Sequence, residues 1–256
     1  MSENIKLALN HFNFSYDDKI AVLHDISIDI TENNITAIVG PSGCGKSTLL
    51  KCIAGANDHF IKNHHEGVIS MNGQQILTKG EAPQKIDIEK IMGYVPQKVE
   101  FAKRSILSNI TSSIRISGII NEKEILRKVE IILKRVKLWD EVKERLDEST
   151  TNLSHGQRQR LAIAVAIAKE PEILLLDCPT SDLDPISRYI IEDLLIELKN
   201  DFTILVATNI MGVAARISSY TVFLYLGQVF EYDKTTKIFT NPEVDETDYF
   251  IKQGFV

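Results

Sequence analysis

The chain has 256 residues, 44% hydrophobic and 25% charged, with a formal net charge of −6. That is an ordinary globular composition with room for one large core or two modest ones. The acidic balance argues against nucleic acid as the main partner, since a surface that tracks phosphates needs a basic excess. The opening "MSENIKLALN" lacks a basic stretch followed by an apolar block, so no secretory signal is expected. The longest run of small apolar residues, 161–168, is far too short to span a bilayer. Cys44, Cys52 and Cys178 have no metal-ligand spacing and read as reduced thiols of a cytosolic protein.

In chain order, "KLALNHFNFSY" and "HDISIDI" alternate apolar and polar residues, which predicts half-buried strands. "NITAIVG" (34–40) is apolar throughout, as expected of a central strand covered on both faces. It runs into "PSGCGKSTLLKCIAG", a Gly-rich turn followed by a helical pattern. Asn72-Gly73 predicts a hairpin within residues 67–80. From Asn121, the residues Ile125, Val129, Ile132, Leu133 and Val136 form one stripe, the mark of an amphipathic helix. Pro171 ends the helix that follows "LSHGQ" and opens an apolar strand to Asp177. Asp184-Pro185 supplies an N-cap and first-turn proline for a helix over 186–199, and "FTILVAT" (202–208) is a further buried strand. This alternation of apolar strands and helices predicts an α/β fold with a mostly parallel sheet.

"GPSGCGKST" (40–48) carries the chemistry. It fits G-x-x-x-x-G-K-[ST] in the required place, after a strand and before a helix. Gly40, Gly43 and Gly45 let the backbone turn its N–H groups inward around a phosphate chain, with Ser42 and Cys44 between them. The helix that follows aims its positive end at the same point. Lys46 reaches the β- and γ-phosphates, and the Ser47 hydroxyl can ligate Mg²⁺. Asp177, closing an apolar strand, suits a second metal-organising carboxylate. These residues predict binding of ATP with Mg²⁺.

With these motifs the chain resembles the ATP-binding subunits of ABC transporters. "LSHGQRQRL" (153–161) is similar to that family's signature, "YVPQK" (94–98) to its Q-loop and "SDLD" (181–184) to its D-loop. Tyr16 stands where the family stacks a ring on adenine, beside a cradle that includes Thr48. "GPSGCGKSTLL", "DPISRYIIEDLLIELKNDFTI" and "FTNPEVDETDYFIKQG" resemble the ATPase subunits of phosphate importers. The resemblance implies a P-loop NTPase core with an antiparallel β subdomain, at 1–97 and 157–256, and a helical signature subdomain at 98–156. It implies a head-to-tail dimer with an identical or homologous ATPase subunit, in which Ser154, Gly156 and Gln157 meet nucleotide held by the partner. Gln97 would reach the metal. Multi-span permease subunits would supply the only membrane contact, placing the chain at the cytoplasmic face of the cell membrane.

The same resemblance exposes departures. The family places a glutamate at position 178 and a histidine at 209, where this chain has Cys178 and Asn209. A thiol with a reference pKa near 8.5 is a poor base for water, and asparagine cannot carry positive charge. His155 replaces the first signature glycine, Val165 a usual arginine, and Asp182 a frequent D-loop alanine. The expectation is a motor subunit with intact Mg-ATP binding and weakened hydrolysis, Cys178 reading as a small buried residue at a strand end. The alternatives are a nucleotide-binding regulatory subunit paired with an active homologue, and a soluble ABC ATPase without permease. His59, His64 and His65 read as part of a polar loop, and "RQR" (158–160) as a solvated helix face.

Overall fold

The structure, a computed structural model, describes residues 4–16, 21–55, 65–78, 88–101 and 104–254. Its first elements are β1 (Ile5–Ser15), β2 (Ala21–Thr31), β3 (Ile35–Val39), α1 (Lys46–Ile53), β4 (His65–Met71), β5 (Gln74–Thr78), α2 (Ile88–Ile91) and β6 (Met92–Val95). Then come α3 (Ile106–Ile116), α4 (Glu122–Arg135), α5 (Trp139–Val142), α6 (His155–Ile167), β7 (Ile173–Asp177) and α7 (Pro185–Leu198). The last are β8 (Thr203–Ala207), α8 (Met211–Ile217), β9 (Tyr220–Tyr225), β10 (Gln228–Lys234), α9 (Thr235–Thr240) and α10 (Asp245–Gly254).

The alternating segments pair as an antiparallel sheet of order β2-β1-β4-β5. Asn72 and Gly73 join β4 to β5 with φ of 50° and 76°, the two positive angles that a tight two-residue hairpin demands. The fully apolar segments build a second sheet of order β10-β9-β3-β8-β7-β6, parallel from β9 to β6 with β10 antiparallel at the edge. Every residue of β3, β7 and β8 is buried, because this sheet is covered on both faces.

Side-chain alternation divides the two covers. Leu174, Leu176, Ile204 and Val206 face a core with α3, α4, α6, α7 and α8. Ile173, Leu175 and Leu205 face the opposite core, where Leu49, Leu50 and Ile53 of α1 meet Leu7, Leu9 and Phe12 of the antiparallel sheet. By the same alternation Asp177 points to the α1 side. Since β8 lies between β3 and β7, the loop after β3 and the aspartate ending β7 open on one crevice at the carboxyl ends of the strands, where α/β sheets bind ligands.

The predicted helix ends hold. The Asn121 side chain accepts from the backbone N–H groups of Lys123 and Glu124, and Asp184 from those of Ile186 and Ser187. Two expectations need correction. Gln159 and Arg160 are not on a solvated face: both are buried, at 3% and 6% exposure. Their helix, α6, packs against α3, α4, α7 and β6 at once, which encloses Gln159 and Arg160 while Arg158 stays half-buried. His65 belongs to β4 and is buried rather than part of a polar loop; His59 and His64 lie outside the described residues.

Candidate functional site: a phosphate cradle and its surroundings

Between β3 and α1, Gly40, Gly43 and Gly45 all take positive φ. At Gly43, φ is 82° and a Cβ would meet nothing within 4 Å. Glycine is there for its backbone conformation, and the loop opens on free space. Ser42 is exposed at the tip, while Cys44 is buried. Burial pushes the Cys44 thiol up in pKa, and the neighbouring Lys46 offsets this only in part.

Lys46 begins α1 and folds its ammonium back into the loop. Nζ donates to the carbonyl oxygens of Gly40 at 2.7 Å and Pro41 at 2.8 Å and lies 3.7 Å from Cys44 Sγ. The Ser47 hydroxyl donates to Asp177 Oδ1 at 2.9 Å, a bond that spans 130 residues of sequence and joins the two predicted metal ligands. Thr48 Oγ1 lies 3.0 Å from the Tyr16 hydroxyl, and the Tyr16 ring stands edge-on to Phe14 at 5.1 Å. Six predicted residues, Tyr16, Gly40, Lys46, Ser47, Thr48 and Asp177, are therefore linked around one crevice.

Cys178 follows β7 with a left-handed φ of 49°. Its N–H donates to the Ala207 carbonyl at 2.9 Å, and its own carbonyl accepts from the Ser181 N–H at 3.1 Å and hydroxyl at 2.8 Å. The side chain is half-buried rather than fully enclosed. Burial, followed by the charge of Asp177, pushes its thiol up to about 11, with Lys46 opposing. Asn209 is exposed in the turn after β8, where Thr208 donates to the Ile38 carbonyl at 3.0 Å.

Gln97 is exposed and lines a cleft of 310 Å³ with Lys98, Val99, Glu100, His155, Arg158 and Asp182. Neither Ser47 nor Asp177 lines that cleft, so in the single chain Gln97 meets the signature and the D-loop segment. Val165, at another unusual position, faces a 230 Å³ cavity between β6 and α6, together with Tyr94, Phe101 and Lys169.

The signature turn is fixed from within the chain. Ser154 caps α6: its hydroxyl accepts from the Gln157 N–H at 3.2 Å, and Gln157 Oε1 accepts from the Ser154 N–H at 2.9 Å. This reciprocal pair satisfies two helix-end donors. Gln157 Nε2 donates to Glu141 Oε2 at 2.7 Å, and Arg160 reaches both Glu141 oxygens at 2.6 and 3.1 Å. Burial pushes the Glu141 carboxyl up, but the bonds from Arg160 and Gln157 outweigh it and hold the group below its usual value. Gly156 is buried: a Cβ there would lie 2.7 Å from Ser187 Oγ, so glycine allows α6 to approach α7. What the turn leaves exposed is Ser154 and His155. Sequence reasoning missed Glu141, whose part depends on where α5 packs, and Tyr94 of β6, whose place depends on strand pairing. No local pattern marks either.

Among the described residues, no helix is long and apolar enough to cross a membrane. Residues 23–181 match the family of ABC transporter domains. The chain is 44% identical to the phosphate import ATP-binding protein PstB of Methylobacillus flagellatus, over 98% of this chain and 97% of that one. It is 43% identical to the PstB of Bacteroides thetaiotaomicron, over 99% of each. The fold is similar to the solved ATP-binding cassette MJ0796, a dimer in a post-hydrolysis state bound to ADP and Pi, with a TM-score of 0.76, 26% identity and coverage of 90% and 98%. With a cradle tied by Ser47 to the β7 aspartate, a capped signature helix and full-length relatives of this kind, the chain belongs to the ATP-binding subunits of ABC transporters.

Proposed function

We propose that the chain binds Mg-ATP as the ATP-binding subunit of a phosphate-importer-like complex, with hydrolysis weakened at its γ-phosphate end. The hydrogen bond between Ser47 and Asp177 carries the nucleotide reading. It brings a hydroxyl and a carboxylate together at 2.9 Å at the mouth of the glycine loop, and such oxygen donors suit a hard divalent cation. Lys46 is held by two backbone carbonyls and the Cys44 sulfur, neutral partners that an anionic phosphate would outcompete for a charged donor. When bound, Mg²⁺ neutralises charge on the phosphates. The loop's backbone N–H groups and Lys46 orient the phosphate chain, and Tyr16 stands at the edge where an adenine would lie.

Cys178 supports the weakened-hydrolysis reading. A thiol raised to about 11 stays protonated at neutral pH and takes no proton from water. Losing a positioned base typically costs about 10²- to 10⁴-fold in rate. Residues 1–97 and 157–256 would form the nucleotide core with its β subdomain, and 98–156 the helical part that docks permease. The exposed Ser154–His155 turn would face a second ATPase subunit across a head-to-tail dimer. The subunit would then work at the cytoplasmic face of the membrane, touching it only through permease. The raised thiol equally favours a second reading, a regulatory subunit that shares its composite sites with a hydrolytically active homologue. Phosphate as solute rests on the relatives' names.

Calorimetry with Mg-ATP tests the nucleotide reading. Lys46→Ala should weaken binding roughly 100-fold, as two charge-assisted hydrogen bonds at about 1.5 kcal/mol each are lost. Equal affinity in the wild type and the variant would overturn the cradle assignment.

A further inference from the structure

Tyr94 lies on β6 in register with Leu175 of β7. Leu175 faces the core beneath α1, and Tyr94 packs against that same core. Asp177 is the next residue of β7 on this face, so Tyr94 shares a face of the sheet with the Ser47–Asp177 pair. Its oxygen is buried and has no hydrogen-bond partner among the described residues. The groups that act on it electrostatically are Asp177, Tyr16 and Cys178, all at the crevice. Burial chiefly, then Asp177, drives the phenol far above its ordinary range. At neutral pH it keeps its proton and stands as an O–H donor.

A buried hydroxyl without a partner is costly, and natural proteins keep few of them. Among the described residues none accepts from this donor, and the crevice at Asp177, on the same face of the sheet, is where the terminal phosphate would sit. We propose that Tyr94 is a binding residue specific for nucleoside triphosphate: its hydroxyl donates to the terminal phosphate, or to a water held against that phosphate beside Asp177. This rests on the Mg-nucleotide reading above and adds a source of discrimination between triphosphate and diphosphate. The chain would thus register the γ-phosphate through a donor from β6, even though Cys178 and Asn209 stand at the neighbouring positions.

Tyr94→Phe removes one oxygen and keeps the ring that packs beneath α1. Titration calorimetry with Mg²⁺ and a non-hydrolysable ATP analogue, and separately with Mg-ADP, gives the ratio of affinities. Thermal unfolding without nucleotide gives the folded-state effect. The expected result is about tenfold weaker binding of the triphosphate, a change below about twofold for ADP, and an unfolding temperature that holds or rises because an unpartnered polar atom is gone. Unchanged affinity for both nucleotides would overturn the proposal. So would equal losses for both, or a drop in unfolding temperature that accompanies the loss, since these mark a packing role. Wild-type protein that binds neither nucleotide would overturn the Mg-nucleotide reading, and the role of Tyr94 with it.

Discussion

The loop after β3 and the turn after β7 lie at the carboxyl ends of strands separated only by β8, yet they differ in what their residues can do. On the β3 side every group has a task that phosphate would complete. The glycines shape the loop, Lys46 is a buried cation held by two carbonyls and the Cys44 sulfur, and Ser47 already meets Asp177. On the β7 side the backbone is just as ordered, with Cys178 fixed through both its N–H and its carbonyl. The side chain it presents is a thiol that burial and Asp177 push up to about 11. On the proposed reading, holding a triphosphate and cleaving it are separable properties of one crevice. The first would depend on backbone geometry and one cation, the second on a base at position 178. Such a chain would keep the first while losing the second.

Restoring the missing groups would break that asymmetry and should give the largest effect. Cys178→Glu is expected to raise ATP turnover by at least tenfold, part of the roughly 10²- to 10⁴-fold that a positioned base supplies. Adding Asn209→His should raise it further, though not as a simple product, because both groups serve one transition state. Steady-state phosphate release, with Mg-ATP affinity measured alongside, would show turnover rising while affinity stays within a few-fold. A fall in affinity matching any change in rate would mean that the two ends are not separable.

A smaller effect sharpens the comparison at the signature turn. Glu141 holds Gln157 and Arg160 through three hydrogen bonds. Glu141→Gln should loosen the α6 cap without touching the cradle. Light scattering at saturating Mg-ATP should show self-association weakened by about tenfold, since one charge-assisted bidentate pair is lost. Single-chain nucleotide affinity should change by less than about twofold, as the cradle is untouched. Loss of nucleotide affinity in this variant would show that the two regions are coupled within the chain.

How much of this was legible in the sequence follows from how local each feature is. The cradle is nine contiguous residues whose types are dictated by backbone angles and phosphate charge, and it lies where it was expected. Asn72-Gly73 and the stripe on α4 are local for the same reason. The antiparallel and parallel sheets followed from strands that alternate and strands that do not. The "RQR" segment misled because a helix enclosed on several sides buries its polar face as well, which hydrophobic periodicity does not reveal. Tyr94 and Glu141 acquire their roles from partners 83 and 16 or more residues away, Asp177 and the signature helix, which only the fold brings near. The identity of Cys178 was plain, but not its left-handed φ or the elevation of its thiol, both set by the strand ends around it.

The central claim is that this crevice grips Mg-ATP without readily cleaving it. A single-turnover experiment tests it most directly: excess protein, with its permease partner, is mixed with ATP labelled at the γ-phosphate and quenched over time. Label bound at once is expected to remain on the nucleotide for many minutes. Prompt release of labelled phosphate would contradict it.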